Sequence, residues 1–345
     1  MIGLAYGRYA FLHARLSALK GELLSKHVWR QLLEADSFTE QRQLLAATSY
    51  APWLGPTTEA TLRGIHAGLF LVARKIERSV PAGSARLIRA WTRRDLLRNL
   101  KTILKGKALG SPEDAIRSEL LDLDPTHVLP TEALLRCGSV EAALDLLEAT
   151  ELRHWIHEAR RIYERDPTLF GLDAALDRLY YPELLRQLDR LDHSDRRAVE
   201  RLILSEIDQV NLLWLLRYRL NYHLSPAETY YLLVPVTGRI TEGQLKAMVR
   251  EDSLELMATR LTARPYRELM SQCQSVWQVE AALWRLRSRE ADRALRQAAF
   301  TLGEALALLV LKEIEIRDLI AVLEGKQLGV ARSNIMEQLA SVRAA

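Results

Sequence analysis

Ala174-Ala175-Leu176-Asp177-Arg178-Leu179 returns 107 residues later as Ala281-Ala282-Leu283-Trp284-Arg285-Leu286. At that offset Val199, Ile203 and Ile207 fall on Leu306, Val310 and Ile314. Glu206-Ile207-Asp208 meets Glu313-Ile314-Glu315, and Asn211-Leu212 meets Asp318-Leu319, without a gap. An earlier copy lies 112 residues before the middle one: Leu87, Trp91, Asn99, Leu100 and Leu104 correspond to Val199, Ile203, Asn211, Leu212 and Leu216. Its end, Lys105-Gly106-Lys107-Ala108-Leu109-Gly110, matches Glu324-Gly325-Lys326-Gln327-Leu328-Gly329, whereas the middle copy carries Arg217-Tyr218-Arg219 in place of Lys-Gly-Lys. Upstream in each copy a serine precedes an amphipathic stretch and its anchors: Ser37 with Leu45 and Tyr50, Ser139 with Leu147 and Leu152, Ser253 with Leu261 and Tyr266. One order of elements repeated three times predicts three helical repeat domains, residues 1–112, 113–226 and 227–345.

The local pattern is helical. Val199, Ile203, Ile207, Val210 and Trp214 recur at the spacing of one helix face. Ser225-Pro226-Ala227-Glu228 is a capping box with proline at the first helical position, and Ser111-Pro112-Glu113-Asp114 reads the same way. No stretch alternates with period two for long; Tyr230-Tyr231-Leu232-Leu233-Val234-Pro235 comes nearest to a strand. The fold class expected is therefore all-α. Each unit is amphipathic and must bury its apolar face on a neighbour, as an open solenoid or as a closed pseudo-threefold body.

Composition narrows the setting. Hydrophobic residues at 48% and charged residues at 27% suit a folded chain rather than a disordered one. The strongest apolar run, Ala305 to Leu311, is flanked by Glu304 and Lys312 and falls far short of the roughly 20 residues a membrane span needs. The start of the chain lacks the pattern of a signal peptide. Cys137 and Cys273 cannot build a disulfide framework, which fits a reducing compartment. These features predict a cytoplasmic chain. Its net charge of +4 comes from 48 basic and 44 acidic residues mixed along the helices, not from the basic stripe of a nucleic-acid binder.

Signatures of catalysis and cofactor binding are missing. Gly106-Lys107-Ala108-Leu109-Gly110-Ser111 lacks the Walker spacing, and its place at a helix end accounts for its lysines. His154 and His157 lie three apart without a third ligand, so an exposed pair is expected rather than a metal site. Glu206 and Glu313 share one position of the repeat, with Arg94 there in the first copy. A group copied from unit to unit points to an ion pair or a helix–helix hydrogen bond that fixes packing, not to an active site. Trp91, Trp214, Trp277 and Trp284 are expected in the core.

Several strings, in order, carry a resemblance that spans nearly the whole chain. They are Tyr6, Tyr9 and Ala14-Arg15-Leu16; Asp95-Leu96-Leu97-Arg98-Asn99-Leu100-Lys101 with Gly106-Lys107; and Tyr180-Tyr181-Pro182-Glu183-Leu184. Glu206-Ile207-Asp208-Gln209-Val210-Asn211-Leu212, Lys312-Glu313-Ile314-Glu315-Ile316-Arg317-Asp318-Leu319-Ile320 and Glu324-Gly325-Lys326 complete the set. The chain resembles the C subunits of bacterial and archaeal V/A-type rotary ATPases, the counterparts of the eukaryotic V-ATPase d subunit. The resemblance implies three helical domains forming a funnel around a pseudo-threefold axis, present once per complex. It implies a non-catalytic rotor component of the central stalk, seated on the cytoplasmic face of the proteolipid ring and receiving the D and F subunits of the shaft. It would link ATP hydrolysis or synthesis to H⁺ or Na⁺ transport, while other subunits handle ATP. The basic helix ends Lys105, Lys107, Arg217, Arg219 and Lys326 are the expected partner contacts, with complementation of the helix dipole as the other account. A helical-repeat adaptor or nucleic-acid scaffold outside the ATPases is the alternative.

Overall fold

Serines set where the short helices begin. In the computed structural model, which describes residues 2–123, 129–150, 152–165 and 169–341, Ser37, Ser139 and Ser253 hold extended backbone angles. Each accepts, through its side-chain oxygen, a bond from the amide three residues on: Glu40, Ala142 and Leu256. A serine so placed satisfies one of the N–H groups left free at a helix start, a contribution of about 1 kcal/mol. Of the anchors downstream, Leu45, Tyr50, Leu147, Leu261 and Tyr266 are buried and Leu152 is partly so. Residue 1 and residues 342–345, the outer limits of the first and third expected units, lie outside the described residues.

Every described regular element is a helix. Seven are long: α1 (Ile2–Gly21), α2 (Thr58–Glu77), α3 (Ala82–Ala108), α4 (Leu169–Asp189), α5 (His193–Leu216), α6 (Val276–Gln297) and α7 (Leu302–Gln327). Thr57, Asp192, Ser275 and Thr301 cap α2, α5, α6 and α7. On α5 the expected stripe is inside, with Val199, Ile203 and Ile207 buried and Val210 and Trp214 partly so. The long helices form consecutive pairs, α2 with α3, α4 with α5 and α6 with α7. The second helix of each pair also packs on the first helix of the next: α3 on α4, α5 on α6, and α7 back on α2. The contacts thus close on themselves, as an open array of pairs would not. Leu97, Leu176, Ile203 and Leu306, drawn from all three pairs, share one apolar core, with a second cluster around Leu212, Met257, Tyr266 and Leu283.

One clamp recurs on α3, α5 and α7. The Asn99 side chain donates to Leu121 O and accepts from Leu121 N, both at 2.8 Å. Asn211 accepts from Val234 N at 2.8 Å and donates to Val234 O and Val236 O at 3.3 and 3.0 Å. Asp318 accepts from Ala340 N and Ser341 N at 3.0 and 2.6 Å. The chemistry follows the partner. A segment offering both an amide and a carbonyl needs the donor and acceptor of asparagine, while one offering only amides suits a carboxylate.

The helix ends are built alike in the first and third copies. Ser111 N bonds Gly106 O at 2.8 Å and Val330 N bonds Gly325 O at 2.8 Å, with Gly110 and Gly329 at φ +65° and +68°. A left-handed residue that closes a helix in this way is most often glycine, which has no Cβ to clash. Gly106 and Gly325 let the helices Glu113–Glu119 and Arg332–Gln338 come close, since a Cβ there would meet Ile116 at 2.4 Å and Ile335 at 2.9 Å. The middle copy differs. Tyr218 takes the glycine position and packs on Ala174 and Leu232, and Arg217–Asn221 forms a π-helix. That wide turn holds one residue more, which matches the clamp spacing of 23 residues from Asn211 to Val234 against 22 from Asn99 to Leu121.

Two sequence expectations, on Ser111 and Trp277, need correction, and the one strand-like stretch conforms to the all-α expectation. Ser111 does not cap the helix that follows: its amide completes the end of α3, and Pro112 stands at the N-cap without a side-chain bond. Tyr230 and Tyr231 belong to the helix Pro226–Leu232, begun by the capping box of Ser225 and Glu228, and not to a strand. Trp277 is 45% exposed on the outward side of the first turn of α6, whose Val276 and Val279 face the core.

Candidate functional site

Arg94 of α3, Glu206 of α5 and Glu313 of α7 share one position of the repeated helix, and their side chains meet. Arg94 Nη1 donates to Glu206 Oε1 at 2.9 Å and to Glu313 Oε1 at 3.1 Å. Arg287 of α6 completes the cluster, its Nη2 donating to Glu206 Oε2 at 2.7 Å and to Glu313 Oε2 at 3.3 Å. Each glutamate holds two guanidiniums and each guanidinium two glutamates. Burial works against the charges of Glu206, Arg94 and Arg287, yet the opposite charges prevail. Arg287 and Arg94 hold the Glu206 carboxyl below its ordinary range, and the glutamates raise both arginines above theirs. Arg94 also lies over the Trp91 ring, 3.7 Å from its centroid. The neighbouring Asp95 is pushed up to about 7 by burial, with Glu313 and Glu206 adding to the shift and Arg94 opposing it. The repeated glutamate is thus a packing tie, as its repetition implied.

The same three helices touch nearer their starts. Ser84 of α3 donates to Asp195 of α5 at 3.2 Å. Gly303 of α7 lies so near α5 that a Cβ would sit 2.6 Å from Ala198 O. Contacts in the same order on each helix mean that α3, α5 and α7 run side by side in one direction here. Farther on, their ends expose large apolar residues at related places: Leu109 (67%), Tyr222 (60%) and Leu328 (78%). Each directly precedes a residue of positive φ, Gly110, His223 or Gly329.

The five expected contact cations sit around these ends in different states. Lys105 is exposed and Lys326 half-exposed. Lys107 donates to Leu135 O, Arg217 pairs with Glu280 at 2.7 Å, and Arg219 bonds Leu224 O and Asp252. Three of the five therefore have partners within the chain. His154 and His157 are exposed on the helix Arg153–Arg165. Among the described residues no group of three or more His, Cys, Asp or Glu could hold a metal ion, and no helix is long and apolar enough to cross a membrane.

The family model described as ATP synthase (C/AC39) subunit matches residues 12–338. The chain belongs to that family. The C subunit of the A-type ATP synthase of Methanocaldococcus jannaschii is 23% identical over 332 residues, covering 92% of this chain and 82% of the relative. Its namesakes in Methanothermobacter thermautotrophicus and Pyrococcus abyssi are 24% and 23% identical, covering 96% and 97% of this chain and 88% and 90% of the relatives. Membership in the C/AC39 family sets aside an adaptor unrelated to ATPases. Within this family member, Arg287 is the cluster residue that sequence reading misses. It stands where the related helices carry Tyr180 and Gly68, and its only signal is a cation beside Leu283 and Leu286 on a buried face.

Proposed function

We propose that the chain is a non-catalytic rotor component of the central stalk, coupling the D and F shaft to the membrane proteolipid ring. ATP hydrolysis or synthesis is thereby linked to H⁺ or Na⁺ transport. The observation that carries this reading is the family match over residues 12–338, with relatives named as C subunits of A-type ATP synthases. In this reading residues 1–112, 113–226 and 227–345 are three pseudo-symmetric domains around one axis, arranged as a funnel, with one copy per complex on the cytoplasmic face. The closed order of helix contacts and the meeting of Arg94, Glu206 and Glu313 support it. Torque needs a body that does not shear, and long helices tied at a common point by four hydrogen-bonded charges resist sliding past one another. The helix ends serve as partner contacts, Lys105 and Lys326 directly, with Lys107, Arg217 and Arg219 shaping the surface around the exposed Leu109, Tyr222 and Leu328.

Depletion of the protein from detergent-solubilised membranes tests the proposal. The chain is expected to travel with the proteolipid ring and the shaft, and its loss to leave ATP hydrolysis by the headpiece while ion pumping stops. Pumping that persists without it overturns the reading.

A further inference from the structure

Two adjoining clefts of about 300 Å³ each lie between the first half of α5 and the second half of α6, and they share Arg201 and Arg239. Their walls carry six arginines, Arg197, Arg201, Arg239, Arg264, Arg289 and Arg293, against two glutamates, and no lysine. The whole chain, with 48 basic and 44 acidic residues, is nearly balanced, so this groove concentrates positive charge found nowhere else at that density in the clefts described.

Its acids are already committed. Glu290 is buried at 7% exposure, accepts from Ser205, and holds Arg201 at 3.7 Å and Arg239 at 3.5 Å. Glu200 is taken by Arg196 at 3.1 Å. Arg197, Arg289 and Arg293 are exposed and have no acidic partner among the described residues. Asp208 steadies one wall by accepting from the amides of Gly238, Arg239 and Ile240 at 2.9, 2.7 and 3.3 Å. One wall is therefore pinned while the side chains of Arg197, Arg289 and Arg293 are exposed without an acidic partner among the described residues. A planar guanidinium presents a fork of donors that fits a carboxylate at two points, which the round ammonium of lysine does not.

We propose that this groove receives an acidic segment of a partner protein, its carboxylates on Arg197, Arg289 and Arg293 and its apolar carbons on Leu204 and Pro265. A membrane surface is the poorer fit, because none of the large exposed apolar side chains lines the groove and interfacial binding needs them to insert. Arg293 has Arg186 and Arg74 at its place in the related helices, but the other two exposed arginines do not recur. At the position of Arg197 the related helices carry Ala85 and Glu304, and at that of Arg289 they carry Pro182 and Phe70. A segment seated here marks one side of a body whose helix pairs otherwise resemble each other. The inference goes beyond the rotor reading and does not depend on it.

The test uses the full chain and a fluorescein-labelled peptide of alternating glutamate and leucine, followed by anisotropy in moderate salt. Arg197→Glu/Arg289→Glu is compared with Arg30→Glu/Arg250→Glu, which makes the same charge change at exposed sites elsewhere. The groove variant is expected to bind at least about tenfold more weakly, and the control within about twofold of wild type. Arg197→Lys/Arg289→Lys, which keeps the charge and loses the fork, is expected to fall between. Equal losses in the groove and control variants overturn the proposal, as does failure of the wild-type chain to bind the peptide. Binding of phosphatidylserine vesicles or a single-stranded oligonucleotide that is lost in the groove variant, with the peptide unaffected, overturns it too.

Discussion

Arg94 and Glu206 are joined by a 2.9 Å ion pair across 112 residues, the same interval that lays Leu87, Trp91 and Asn99 over Val199, Ile203 and Asn211. The second bond of Arg94, to Glu313, spans 219 residues and reaches the same place in the third helix. Related positions of three helices thus meet at one place, and a single cation between two acids satisfies both where three acids would repel. Arg94→Met leaves Glu206 and Glu313 sharing Arg287 alone, with excess buried negative charge. The expected loss is about 3–5 kcal/mol in urea unfolding at pH 7, and a second change, Glu206→Gln, restores part of it. Two losses that merely add would show that the pair is not coupled.

Asp95 gives the fold a dependence on pH. With its pKa at about 7 in the folded chain and near 4 when unfolded, the folded state alone holds the proton between those values. Stability from this group falls as pH rises through that window and is level above it. Asp95→Asn removes the effect, so its melting temperature should gain on wild type at pH 8 relative to pH 5. Asp318, also raised, to about 6, titrates alike in both proteins and cancels. A difference independent of pH would mean that Asp95 is not the group responsible.

Asn211→Ala takes a donor and an acceptor from the Val234–Val236 backbone. A loss of about 1–3 kcal/mol is expected, with faster hydrogen exchange at the Val234 amide. Asn211→Asp should be no better, since a carboxylate would face two carbonyls there, unlike Asp318, which faces two amides.

Gly303→Ala puts a methyl 2.6 Å from a backbone oxygen of α5, which can yield only if two long helices separate. A drop of about 1–3 kcal/mol should appear in thermal unfolding. Gly21→Ala, with nothing within 4 Å of the added carbon, is the matched control and should be near neutral.

Charge reversal at the helix ends addresses the partner contacts. Lys105→Glu with Lys326→Glu changes side chains that stabilise little within the chain, so folding should be unaffected while retention of the chain on detergent-solubilised ATPase falls. Full retention would leave complementation of the helix dipole as the role of these lysines.

The start at the Ser225 box was legible because a cap is a local event acting within four residues, whereas Ser111, which reads the same way, closes the helix before it. The buried stripe of α5 was legible because period alone tells which face turns inward. What that face meets is set by distant chain, so the packing of α7 on α2 left no trace in periodicity. The charge cluster was legible only in part. Arg94, Glu206 and Glu313 betray themselves by sharing a position, whereas Arg287 does not, its partners lying 81 and 26 residues away at unrelated positions. The arginine groove was hidden for a similar reason, its side chains being scattered from Arg197 to Arg293. Trp277 misled because hydrophobicity predicts burial on average, while the face set by Val276 and Val279 leaves it turned outward.

The return of α7 onto α2 has a consequence for how such a protein can evolve. A row of helix pairs can lengthen by tandem duplication at either end, each newcomer docking on the last. A ring offers no vacant terminus, and a fourth pair would have to widen the circle and draw Arg94 away from both its acids. Copy number is thereby held, and divergence falls on substitutions inside the three pairs and on changes of length outside their contacts, such as the residue absorbed by the wide turn at Arg217–Asn221.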